Sequence, residues 1–278
     1  MTDSSLNPPV IIGALGGSGT RVVAQFLLEA GVFLGDDLNE PLDNLTAVLL
    51  LNRRQSLLDR DAIFRALDLL RQYMTSSRPF SGADQDFLRA LATEERQQHS
   101  REFLEDRLAH LLERRDERAP GRWGWKMPPS HIFLRDILQW SDTARYLHVR
   151  RHPLDMAYSS NRNQLRMWGP VMLGRDIADT PDEALRYWIE SERRIDSARS
   201  EFGDRVHVIT YEALCGDKRK TLNGILDFFE LQNRDGLVET FERQISSAGS
   251  IGRYKLHHYT ELDRVSLSRI ERMGYQVG

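Results

Sequence analysis

The run Val10-Ile11-Ile12-Gly13-Ala14-Leu15 is followed at once by Gly16, Gly17, Ser18 and Gly19, and then by Val23, Phe26, Leu27 and Ala30. A short continuous apolar run reads as a strand buried on both faces, the strand type of parallel sheets. The last four residues stand at i, i+3, i+4 and i+7, the stripe of an amphipathic helix. Strand, glycine turn and helix in that order begin a crossover unit, so the chain is constrained from its first tens of residues to an α/β architecture.

The rest of the chain repeats this grammar. Trp123 to Met127, Arg145 to Val149 and Val206 to Thr210 are predicted strands, and each is followed by a helical stretch. Phe133, Ile137 and Trp140 continue as a helix after Pro128 and Pro129. Another helix is predicted over Asp182 to Phe202, with Leu185, Trp188 and Ile195 inward, and Leu222, Ile225, Leu226 and Phe229 repeat the stripe. Between about 44 and 118 helical signals dominate, and Leu104, Leu108 and Leu111 share one face, which reads as a helical insertion. The expected fold is a three-layer parallel sheet with a P-loop-like strand-turn-helix and that insertion. It is expected as one domain over 1–278, since no repeat, low-complexity tract or long linker divides the chain.

Net charge is -3, with 28% charged and 40% apolar residues, which describes an ordinary globular chain and argues against a general nucleic-acid binder. Cys215 is the only cysteine, so no intrachain disulfide can form. The opening MTDSSLNPP has no basic segment followed by an apolar one, and the longest apolar run, Ala47 to Leu51, is far below membrane-spanning length. A cytoplasmic protein with no membrane anchor is expected.

In GALGGSGTR the glycines let successive backbone N–H groups aim at one anion, and the following helix N-terminus adds partial positive charge. A Walker-type site needs a glycine-lysine pair followed by a hydroxyl that holds magnesium. Gly19, Thr20 and Arg21 stand there instead, so a donor that needs no metal fits better. Later, LHVRRHPLDMAYSSN puts Arg151 at a predicted strand end and Ser159 eight residues on, about two turns along a helix. A guanidinium fork and a hydroxyl suit a phosphate.

Together these segments resemble the donor-binding pair of the sulfotransferase family. Similar enzymes bind the 5′-phosphosulfate of 3′-phosphoadenosine 5′-phosphosulfate (PAPS) on a strand-loop-helix ending in S-G-T, here Ser18-Gly19-Thr20. They bind its 3′-phosphate on a later segment that here is Arg151, Pro153, Asp155 and Ser159. ITYEAL, with Tyr211, resembles the strand end that contacts the adenine, and SIGRYK, Ser250 to Lys255, the loop that closes over the 3′-phosphate. The resemblance implies PAPS as donor, the desulfated bisphosphate PAP as product, and no metal. Its implied donor site is Gly16, Gly17, Ser18, Gly19, Thr20, Arg21, Arg151, Ser159, Tyr211, Gly252, Arg253 and Lys255.

Many relatives carry a lysine or arginine immediately before S-G-T, where this chain has Gly17. Lys126, in GWKMPPSH, resembles a lysine that lies against the transferring group in similar enzymes, and Arg21 is a second source of charge. Sulfuryl transfer also needs a base. GDDLNEPLDN offers Asp36, Asp37, Glu40 and Asp43; in similar enzymes with an acidic base the glutamate lies about this far beyond S-G-T, so the resemblance implies Glu40 first and Asp43 second, unless these acids merely cap a helix starting near Asn44. His131 and His152 rank below them as bases. Of Trp123, Trp125, Trp168 and Trp188, Trp168 in the loop-like RMWGP is the one expected to line an acceptor pocket, the others belonging to the core.

The function expected is transfer of a sulfuryl group from PAPS to an acceptor hydroxyl or amine, on a small molecule or carbohydrate, by a chain that could also form oligomers. A P-loop kinase of a small metabolite shares the sheet and cradle, and a non-catalytic nucleotide-binding protein would account for the glycine at position 17.

Overall fold

The computed structural model describes residues 7–113, 121–233, 236–245 and 249–277. The N-terminal MTDSSL and positions 114–118 of the expected insertion lie outside them. The core is a parallel sheet of β1 (Val10–Ala14), β2 (Gly124–Lys126), β3 (Arg145–Arg150) and β4 (Val206–Thr210), in the order β2-β1-β3-β4. Ile11 stands opposite Trp125 on one side and Tyr146 on the other, and Arg150 opposite Thr210.

Alternation along the strands sorts side chains into two cores. Val10, Ile12 and Ala14 of β1, with Leu147 and Val149 of β3, join the first. It is closed by α1 (Thr20–Glu29) and three later helices. Ile11 and Tyr146 point the other way, into a second core that includes Trp125, Trp168 and Trp188. The insertion packs there as α2 (Leu45–Leu51), α3 (Arg60–Thr75), α4 (Gly82–Thr93) and α5 (Arg101–Leu112). Ser100, Ser81, Asp59 and Asn44 each accept a backbone N–H at the start of one of these helices, the side-chain caps that end the chain's extended stretches.

After β2 a 3₁₀ turn over Pro128–Phe133 leads into α6 (Leu134–Trp140). Following β3 come α7 (Pro153–Ala157), α8 (Asn163–Leu173) and α9 (Pro181–Phe202). Leu185, Trp188 and Ile195 of α9 are fully buried, as their spacing predicted. Beyond β4 lie α10 (Tyr211–Gly216), α11 (Lys218–Phe229) and α12 (Leu237–Gln244), all three closing the first core, and then α13 (Arg264–Arg272).

Two local expectations are corrected. Ser159 does not lie two turns along a helix, because α7 ends at Ala157. Its Oγ accepts the backbone N–H of Asn161 at 3.3 Å, a local bond that competes with helix continuation. Nor is RMWGP a loop, since Arg166 to Pro170 lie inside α8. Pro170 has no N–H for the Arg166 carbonyl four residues back. Arg54 supplies the missing donor, with Nη2 at 3.2 Å from Arg166 O and Nε at 2.7 Å from Met167 O. A remote guanidinium thus sustains a helix that local sequence argues against.

Candidate active site

The carboxyl ends of the four strands carry the singled-out residues in spatial order. Lys126 ends β2, the glycine turn leaves β1, Arg151 follows β3 and Tyr211 follows β4. The strand after β1 lies on one side of it and the next, β3, on the other, so the crevice where such sheets take ligands opens between the glycine turn and Arg151.

Gly17 and Gly19 both hold left-handed backbone, with φ of +93° and +90°. A Cβ at Gly19 would lie 2.3 Å from Tyr211 Cδ2, so the Tyr211 ring rests directly on the turn. Gly19→Ala is expected to cost about 2 kcal/mol or more of folding stability through this clash and the strained φ, measurable by urea denaturation. At Gly17 a Cβ would stand 3.2 Å from Ser159 Oγ. The turn's own geometry therefore disfavours a lysine or arginine at position 17.

Arg151 is 4% exposed. Its Nη1 donates to Gly17 O at 3.0 Å, and its Nη2 to the carbonyl and hydroxyl of Ser250 at 2.7 and 2.8 Å. The guanidinium carbon stands 4.5 Å over the Tyr211 ring. Nε is buried with no partner among the described residues. Asp155 Oδ2 is 4.0 Å away, and the Asp155 carboxylate is engaged elsewhere, accepting N–H groups of Gly252 at 2.8 Å and Tyr254 at 3.2 Å. Those two bonds pin the C-terminal loop against α7. Burial, and then repulsion from Arg253, lower the Arg151 pKa below the usual guanidinium value. Two neighbouring cations, one buried and weakly countered, form a place that an anion would stabilise. Lys255 is exposed on the same loop.

The acids of GDDLNEPLDN separate into two kinds. Asn44, not an acid, caps α2, accepting Ala47 N at 2.7 Å. Tyr73 donates to Asp36, and Asp37 pairs with Arg107, so both are tied to the helical insertion. Glu40 and Asp43 face the turn. Glu40 pairs with Arg21 at 3.1 Å with both side chains largely exposed, whereas Asp43 pairs with Lys126, which is 2% exposed and also donates to Pro41 O at 3.0 Å. Burial lowers the Lys126 pKa and Arg21 adds to the shift, while Asp43 opposes them.

Two clefts flank the turn. One, of about 370 Å³, is lined by Val22, Tyr211, Leu214 and Phe241, with Arg21 and Gln25 also on its wall. The other, of about 310 Å³, lies between the turn and the insertion and is lined in part by Gly16, Asp43, Val48, Asn52, Phe103 and Met127. No lysine or arginine is among the described residues lining it. Trp168, expected in a pocket, is fully buried instead, edge-on to Phe133 at 5.4 Å, because a helix rather than a loop carries it. It reaches the second cleft only through Asn52, whose Oδ1 accepts its indole N–H at 3.3 Å.

His131 lies behind this cleft, its Nε2 3.0 Å from Gln164 Oε1, and burial pushes its pKa down to about 4. His152 stacks flat on Tyr254 at 4.9 Å. Asn52, Gln164 and Ser250 are contributions that motif reading did not single out; only Ser250 fell within a quoted segment. Nothing near Asn52 or Gln164 in the sequence announces them, because their partners, Trp168 for Asn52 and Ala14, His131 and Tyr187 for Gln164, all lie on other elements of the fold.

A parallel sheet with a glycine turn at its switch point and a buried arginine across the crevice defines an α/β protein of P-loop-like build. The sulfotransferase family model matches residues 8–235, and the chain belongs to that family. Among solved structures, the chain is similar to the sulfotransferase domain from the Synechococcus PCC 7002 olefin synthase, at 19% identity and a TM-score of 0.50, covering 100% of this chain and 99% of that one. It is also similar to the sulfotransferase domain from the curacin biosynthetic pathway, at 13% identity and a TM-score of 0.54, covering 98% and 99%. At these identities the likeness concerns the fold. No curated protein sequence matches the chain. No helix among the described residues is long and apolar enough to cross a membrane.

Proposed function

We propose that the chain transfers a sulfuryl group from PAPS to an acceptor hydroxyl or amine. The observation that carries this reading is the convergence on Arg151, where Gly17 of the turn, Tyr211 and Ser250 of the C-terminal loop all touch one buried guanidinium with a spare N–H. In this reading Arg151, Ser159, Gly252, Arg253 and Lys255 take the 3′-phosphate. Backbone N–H groups from Gly16 to Thr20 take the 5′-phosphosulfate, and the cleft beside Tyr211 takes the adenine.

Transfer is an in-line displacement. The acceptor oxygen or nitrogen forms a bond to sulfur as the sulfur–oxygen bond to the 5′-phosphate breaks, and the electron pair leaves with PAP. Lys126, with Arg21, stabilises charge on that departing oxygen. A carboxylate of the mouth takes the acceptor proton. Glu40 has the sequence spacing for it, but Asp43 lines the acceptor-side cleft and Glu40 does not, which shifts the assignment towards Asp43.

Calorimetric titration of PAP without magnesium, with ATP as control, tests the donor. Wild type is expected to prefer PAP, and Arg151→Ala combined with Ser159→Ala to lose it. A preference for ATP would favour a metabolite kinase, and binding of neither would remove the proposal.

A further inference from the structure

The indole N–H of Trp168 is a donor only, so the Asn52 atom that meets it at 3.3 Å must be the carbonyl oxygen Oδ1. That bond fixes which way the amide faces. Its other end, the Nδ2 amino group, then has no hydrogen-bond partner among the described residues and retains accessible surface. Asn52 itself is 6% exposed, and it lines the cleft between the glycine turn and the helical insertion. An amide locked from behind, with its amino group open to the cleft and unpaired with any described residue, presents a fixed donor that a ligand oxygen can meet in place of water.

The surroundings narrow what that ligand is. Val48, Phe103 and Met127 supply apolar wall, Asp43 contributes a carboxylate, and no cationic residue is present among the described lining residues. His99, also on the wall, has its pKa lowered by burial and by Arg96, which disfavours a positive charge there. Away from the glycine turn, no cation on the described wall of this cleft would compensate a buried anion. We propose that Asn52 determines acceptor specificity, donating from Nδ2 to an uncharged oxygen of the acceptor other than the one that reacts, and that the cleft takes uncharged hydroxyl compounds and rejects carboxylates. This rests on the reading of the cleft as the acceptor side of a PAPS-dependent transferase.

The probes are biphenol, which has a hydroxyl at each end, phenylphenol, which has one, and hydroxybiphenyl carboxylate, which replaces the second hydroxyl with a charge. Each is titrated into PAP-saturated wild type and Asn52→Asp. The aspartate keeps an oxygen for Trp168 and removes the amino donor but adds a carboxylate charge, so Asn52→Ser, an uncharged variant that also lacks the amide, is titrated beside it, and urea denaturation checks that both are folded. Wild type is expected to bind biphenol about tenfold more tightly than phenylphenol, the worth of one hydrogen bond, and the carboxylate least. Both variants are expected to erase the biphenol advantage while leaving phenylphenol and PAP binding unchanged. The same biphenol preference in wild type and both variants, carboxylate bound as well as biphenol, or no probe bound by the PAP complex would each overturn the proposal. Failure of wild type to bind PAP at all would instead strike the donor reading on which it rests.

Discussion

Lys126→Ala is expected to lower sulfonation of biphenol from PAPS by a factor of about a hundred to a thousand, with PAP affinity changed little. Removing one preorganised donor from a site of developing charge costs about 3–4 kcal/mol in the transition state. This site has few substitutes. Position 17 is a left-handed glycine that cannot readily carry a cation, and Arg21 is more than half exposed and shared with Glu40. Lys126 is buried, and Asp43 and Pro41 O hold its ammonium at the mouth of the turn. Because PAP has already lost the transferring group, its binding reports on ground-state contacts alone, and the two measurements separate catalysis from docking. Equal losses in turnover and in PAP affinity would make Lys126 a binding residue.

The second large effect is on stability. Glu192 in α9 is 1% exposed, with Oε1 3.0 Å from His148 Nε2 and Oε2 2.6 Å from Arg150 Nε. Burial by itself raises its pKa, but the charges and hydrogen bonds of His148 and Arg150 outweigh that and hold it below the ordinary glutamate value. Glu192→Ala leaves Arg150 half-satisfied against a buried imidazole, and a loss of about 3–5 kcal/mol is expected in urea denaturation at neutral pH. Asp196, Arg150's outer partner at 2.7 Å, is half exposed, and Asp196→Ala is expected to cost less than about 1 kcal/mol.

The same network sets an acid limit. The Glu192 pKa is depressed by folding, so its contribution is present above the unfolded value of 4.5 and is lost as pH falls through the lower folded value. His131 is depressed as well, from 6.5 to about 4, and its contribution is complete above pH 6.5 and fades towards pH 4, by on the order of 3 kcal/mol. Wild-type stability should therefore decline from about pH 6.5 downwards. A flat profile between pH 7 and pH 5 would contradict the burial of His131 as a neutral ring.

Much of the fold is legible in the sequence because its signals are local. β4 spans the predicted Val206 to Thr210, and β3 extends the predicted segment by Arg150 alone, since alternation and run length need no distant partner. The glycine turn is legible for the same reason, as left-handed backbone at Gly17 and Gly19 is a property glycine carries with it. The failures are those places where a distant group decided the outcome. Pro170 argued for a loop, and Arg54 satisfied the freed carbonyls across more than a hundred residues. Among the acids at 36 to 43 the sequence ranks Glu40 first and Asp43 second, but nothing local shows that Tyr73 and Arg107 of the insertion claim Asp36 and Asp37.

The chain's own order of residues thus determined the class of fold, the turn and the family, because strand period, helix stripe and glycine freedom act over a few residues. Only the tertiary structure decided which charges meet: Arg151 with Ser250, Lys126 with Asp43, and Trp168 turned inward to aim the Asn52 amide at a cleft. Those pairings depend on how helices pack across the sheet, and contacts between residues tens to more than a hundred positions apart leave no periodic trace in a single sequence.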